Sequence, residues 1–150
     1  MKWITRERPK IDRIACPWLI HKFIDRDAQF LYAPAGDVLR VAQETGATPY
    51  DVPGVELTHE GEFCSFDAIL KKYQLTDPAL MQLAIIVRGA DTSRLDLSQQ
   101  SAGLYAISLG LSANYSDDQE MLQHGMVMYE ALYAWCKSCQ NETHKWPPKM

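Results

Sequence analysis

The sequence predicts an α+β domain, mainly helical, with about five or six helices and a small sheet of two or three strands. Two patterns lead there. In the first half, short apolar or alternating runs, Gln29–Ala33, Thr48–Val52 and Val55–His59, are interleaved with helical segments. In the second half, apolar residues recur at three- and four-residue steps over longer stretches, as in amphipathic helices. A chain of 150 residues with a hydrophobic fraction of 47% is long and apolar enough to bury a single core without covalent staples.

No element is predicted for Met1–Lys10, which is charged throughout. The first helix is expected over Ile11–Ile24, with Ile14, Trp18, Ile20, Phe23 and Ile24 on its buried side. Two starts are open. Asp12 is one N-cap; alternatively, Cys16 caps a helix that begins with Pro17, whose missing N–H is harmless at the first position. Gln29–Ala33 reads as a strand, Gly36–Glu44 as a short helix ending near Gly46, and Thr48–Val52 as a second extended piece. In Val55–His59, read as a strand, Val55, Leu57 and His59 share one face. Gly61 permits a turn, and Ser65 is a candidate N-cap for a helix burying Phe66, Ile69, Leu70 and Tyr73, with Asp67 in its first turn.

Thr76-Asp77-Pro78 announces the next helix, expected to run to Arg88 and end at Gly89, with Asp91 in the following turn. A polar linker, Asp91–Asp96, leads to a helix opened by Ser98 or Gln99 and carrying Leu104, Ile107, Leu109 and Leu111; Gly103 allows close packing, and Gly110 weakens its end. Ser116 and Gln119 have capping-box spacing, and the final helix carries a stripe of Met121, Gly125, Met128, Leu132, Trp135 and Cys139. The domain is expected over 1–140, with 141–150 an exposed, partly disordered tail.

The net charge of −4 and the lack of a basic stripe argue against direct nucleic-acid binding. No apolar run is long enough to span a membrane, and no secretory signal opens the chain, so a cytoplasmic location is expected. The unevenly spaced Cys16, Cys64, Cys136 and Cys139 do not suggest a disulfide framework. Cys136 and Cys139 form a C-x-x-C at the end of a helix instead of its beginning, so they read as small apolar residues. Phosphate-loop, dinucleotide and nucleophile-elbow motifs are absent.

The residues that could carry chemistry are two histidines on apolar faces and two aspartates at element ends. Single histidines in such places usually find a hydrogen-bond partner and nothing more. His59 and His124 together, joined by Asp91 and Asp67, would instead form an imidazole–carboxylate set suited to a divalent transition metal such as Mn, Fe or Zn. Arg13 and Cys16 lie close together near a helix start, where a thiol pKa can fall; Cys16 is thus a candidate reactive thiol, although an inert half-buried cysteine is the ordinary outcome. His21 and His144 read as surface residues.

Several segments carry a resemblance: Asp12-Arg-Ile-Ala-Cys-Pro-Trp-Leu-Ile20 with Phe23-Ile-Asp25, Val55–Asp67, Ile86–Thr92, Ala102-Gly-Leu104, and Asp117-Asp118 through Leu132-Tyr-Ala134. Across them the chain resembles the chromate resistance family, in particular the C-terminal domain of ChrB-type proteins. The resemblance implies a bacterial cytoplasmic protein connected with chromate resistance, some of whose relatives carry a regulatory or rhodanese domain that a partner protein would supply here. Two classes of function follow. One is a metal-dependent redox or detoxification factor. The other is a sensor or binding module, in which Arg13 and Arg88 would offer themselves to chromate or another small oxyanion.

Overall fold

The computed structural model describes residues 1–142. Three strands, β1 (Lys2–Arg6), β2 (Gln29–Ala33) and β3 (Thr48–Pro49), form a parallel sheet in the order β2-β1-β3. Around it lie α1 (Asp12–Phe23), α2 (Val38–Thr45), α3 (Ser65–Lys72), α4 (Pro78–Asp91), α5 (Ser101–Asn114) and α6 (Asp118–Ala134). The expected mainly helical α+β class is therefore observed.

The central strand, β1, comes from the segment for which no element was predicted. Its ends, Lys2 and Arg6, are charged, but Trp3, Ile4 and Thr5 between them are all buried. Trp3 joins the main core with α1, whereas Ile4 joins a smaller one with Val38 and Ala42 of α2. A strand covered on both faces loses the polar–apolar alternation that would announce it.

Helix α1 has Ile11 at its N-cap and Asp12 as its first residue, so neither Asp12 nor Cys16 is the cap, and Pro17 lies inside the helix. Val55–His59 is not a strand. The segment bends after Gly54, which has φ of 85°, and the Asp51 N–H donates to the Leu57 carbonyl at 2.8 Å. Leu57 is buried while the His59 side chain is 41% exposed, so the shared face expected of them is lost with the extended backbone.

Cys64, not Ser65, occupies the N-cap of α3, and Asp67 accepts the Cys64 N–H at 3.0 Å. Helix α4 continues through Gly89 to Asp91. This glycine serves packing instead of termination: a Cβ there would collide with the Ser101 hydroxyl and the Arg94 carbonyl. Helix α5 accordingly begins at Ser101. It buries Leu104 and Ser108, while the apolar Ile107 and Leu109 are exposed.

The stripe of α6 is rotated from the one predicted. Met121 and Gly125 are buried as expected, but the line continues through Tyr129, Tyr133 and Cys136; Met128, Leu132 and Trp135 are half-buried, and Cys139 is exposed. Contact with α1 selects this face. Gly125 presses on Ile14, and the Tyr129 hydroxyl donates to the Ile11 carbonyl at 2.9 Å. Asp117 caps α6 by accepting the Glu120 N–H. Of the expected tail, Asn141 and Glu142 are exposed and 143–150, including His144, lie outside the described residues.

Candidate metal centre

The chain returns four times to one point beside the carboxyl end of the sheet. Asp12 opens α1 just after β1, Asp51 follows β3, His59 lies on the loop before α3, and Asp91 is the last residue of α4. His59 Nε2 lies 3.1 Å from Asp51 Oδ1, 3.1 Å from Asp91 Oδ2 and 3.6 Å from Asp12 Oδ2. A ring nitrogen carries at most one proton, so one N–H faces three carboxylates.

Each carboxylate is held in place by other groups. Asp12 is fully buried and accepts the backbone N–H groups of Ser65 and Phe66, both at 2.9 Å. These are orphan donors of the first turn of α3, so an aspartate distant in sequence caps that helix where the thiol of Cys64 caps poorly. The Asp12 N–H in turn donates to Asp91 Oδ1 at 3.3 Å. Asp51 accepts the Ser65 hydroxyl at 2.8 Å and pairs with Arg6 at 3.0 Å and Arg13 at 3.5 Å.

Crowding of like charges marks the site electrostatically. Burial first, then Asp91 and Asp51, push the Asp12 carboxyl well above the usual carboxylate range. Burial and then Asp51 push Asp91 up to about 6. The backbone is strained beside these groups: Ile11, β-branched, has φ of 48°, and Asp51 has φ of 53°. Positive φ is uncommon at any residue but glycine, and such departures tend to gather at functional sites.

The residues singled out from sequence are distributed unevenly around this centre. His59 and Asp91 meet in it. His124 does not join them: it lies on the exposed side of α6, stacked on Tyr115 with ring centroids 4.3 Å apart. Asp67 is tied to the Cys64 N–H and to Arg88 Nε at 3.6 Å, and Arg88 also lies over the Phe63 ring. Arg13 donates to the carbonyls of Arg6, Glu7 and Arg8 in addition to its pairing with Asp51. Cys16 is fully buried and donates to Asp12 Oδ1; burial first, then Asp12, raise its thiol pKa, the opposite of what a reactive thiolate needs.

Sequence reading missed Asp51 and Cys64 and took Asp12 only for a local cap. Asp51, directly before a Val-Pro-Gly turn, was the one with a local signal. Among the described residues, two close sets of metal-ligating side chains result, Asp12–Asp51–His59 and Asp12–Cys64–Asp91, each with its ligand atoms within 4.8 Å of one another. An apolar cleft of about 860 Å³, lined in part by Phe63, Leu70, Leu75 and Met81, opens beside Cys64.

Comparison with known proteins agrees with the extent of this fold. A family model described as ChrB, C-terminal domain, matches residues 3–136. Protein ChrB of Cupriavidus metallidurans (strain CH34) is 30% identical over 133 residues, covering 88% of this chain and 40% of that protein. The chain thus spans well under half the length of that relative. No solved structure matches. The family match runs from Trp3 in β1 through α6 and covers every residue of the centre, so the chain belongs to the ChrB C-terminal domain family.

Proposed function

We propose that this domain binds a divalent transition metal at Asp12, Asp51, His59 and Asp91 and serves chromate resistance in the cytoplasm as a metal-dependent redox or detoxification factor. The observation that carries the reading is the convergence of three carboxylates on one imidazole nitrogen. Gathering like charges in a buried place is costly unless a counter-charge joins them. A divalent cation would replace one shared proton with two positive charges and relieve the crowding of the carboxylates. The nitrogen–oxygen donor set suits Mn, Fe or Zn. Bound there, the metal would supply Lewis acidity or, if iron or manganese, an electron.

The chain's own residues would fix the site and its access. Ser65, Arg6 and Arg13 hold Asp51, and the first turn of α3 holds Asp12, so both carboxylates are oriented before metal arrives. His59, on the exposed side, leaves an approach from solvent. A second reading, a sensor for a metal or for chromate, is favoured by one feature. His59 rides on the irregular loop between β3 and α3, so metal would pin that loop to α1 and α4 and change the surface offered to a regulatory or rhodanese-type protein.

The test is metal content of purified protein, with chromate tolerance of cells, for His59→Ala, Asp91→Asn and His124→Ala. A fall in both properties in the first two variants and retention in the third is expected. Full metal content in folded His59→Ala would overturn the proposal. Loss of metal with unchanged tolerance would move the function away from chromate.

A further inference from the structure

We infer that the centre has two metal positions sharing Asp12: an imidazole–carboxylate position formed with Asp51 and His59, and a thiolate–carboxylate position formed with Cys64 and Asp91. The inference rests on the metal-binding reading above and deepens it. Its basis is that the ligating groups fall into two sets that have Asp12 in common, with His59 in one and Cys64 in the other. Metal–oxygen and metal–nitrogen bonds of about 2.0–2.2 Å and metal–sulfur bonds of about 2.3 Å place ligand atoms of one ion within roughly 4.6 Å of each other. Each set is close to that span.

Asp12 is suited to bridge. Its two carboxylate oxygens are held apart on separate backbone donors, Oδ2 on Ser65 and Oδ1 on Phe66, which fixes the plane of the group. A carboxylate keeps lone pairs beyond those two bonds, so each oxygen can also reach a metal. Paired ions in two-metal sites stand about 3.5–4 Å apart, a spacing one carboxylate can span. Asp91 links the sets from the other side, with Oδ2 at 3.1 Å from His59 and Oδ1 accepting the Asp12 N–H.

Cys64 supplies an observation independent of the acidic cluster. Its side chain is buried at the base of the site, within reach of Asp12 and Asp91, and its S–H donates to Asp67 Oδ2 at 3.4 Å. Burial first, then Asp12 and Asp67, raise its thiol pKa, so the S–H proton would leave to solvent only as a metal took the sulfur. The two positions then differ in character. His59 with Asp51 is a hard, solvent-accessible set, and Cys64 a softer, enclosed one, so manganese should occupy the first while cobalt and zinc occupy both.

The experiment is titration of metal-free protein with cobalt(II), following the near-ultraviolet thiolate-to-cobalt charge-transfer absorption and measuring bound metal by elemental analysis. Two equivalents and a thiolate band are expected. Cys64→Ser should bind one equivalent and lose the band, and His59→Ala should keep the band. One equivalent without a band overturns the thiolate position and leaves the first standing. No cobalt bound overturns both. A band that survives in Cys64→Ser overturns the assignment of the thiolate, and two equivalents of manganese overturn the assigned difference in softness.

Discussion

Asp12 Oδ1 accepts the Phe66 backbone N–H at 2.9 Å, so the first residue of α1 caps α3 while its other oxygen faces His59. One carboxylate thus has a folding role and a site role, and substitutions should separate them. In metal-free protein, Asp12→Ala strands the N–H groups of Ser65 and Phe66, each worth about 1–3 kcal/mol if left unpaired. Asp12→Asn keeps an acceptor and removes a charge that crowds Asp91 and Asp51. Urea unfolding should find Asp12→Asn the more stable of the two; the reverse order would mean that the cap contributes little.

The pH dependence of metal-free protein should carry the mark of Asp91. Its carboxyl, raised from 3.8 to about 6 by burial and by Asp51, holds a proton more tightly folded than unfolded. Such a group contributes stability that is fully present below about 3.8 and lost as pH rises through about 6. Comparing wild type with Asp91→Asn between those limits isolates the effect, of order 1–3 kcal/mol. Wild type should fall relative to the variant as pH rises, and a relative gain would refute the assignment.

Metal should raise thermal stability by linkage. At a free concentration 100 times the dissociation constant, binding adds about 2.7 kcal/mol. In a domain of this size that corresponds to roughly 5–10 °C in Tm. His59→Ala should show a smaller shift than wild type and His124→Ala the full one, as read by differential scanning fluorimetry with and without chelator.

Tyr129→Phe tests the tie between α6 and the start of α1. It deletes one bond to the Ile11 carbonyl, which keeps the Ala15 N–H at 2.8 Å, so the cost in chemical denaturation should be about 0.5–1.5 kcal/mol. Because Ile11 precedes Asp12, metal affinity should fall as well. Unchanged affinity in the folded variant would show that α1 holds its position without this bond.

The legibility of the chain followed the range of the interactions involved. β2 was readable because an apolar run between turns needs no knowledge of its neighbours, and α4 because Asp77 and Pro78 form a local start signal. β1 was not, since burial on both faces of Trp3, Ile4 and Thr5 is a tertiary fact. At the centre, His59 and Asp91 were picked out by residue type and place. Asp12 and Cys64 resembled ordinary helix-start residues, and their meeting depends on contacts across more than fifty residues. His124 was misplaced because the stripe it was measured against is turned around α6 by the approach of α1.

The contact between Gly125 and Ile14 gives α6 a hold over a centre to which it donates no ligand. A Cβ at Gly125 would stand 2.5 Å from Ile14 Cγ2, well inside van der Waals contact. Ile14 is only two residues beyond Asp12. One hydrogen atom in place of a methyl group therefore acts as a spacer, setting how deeply α1 seats against α6 and hence how far the Asp12 carboxylate reaches toward His59.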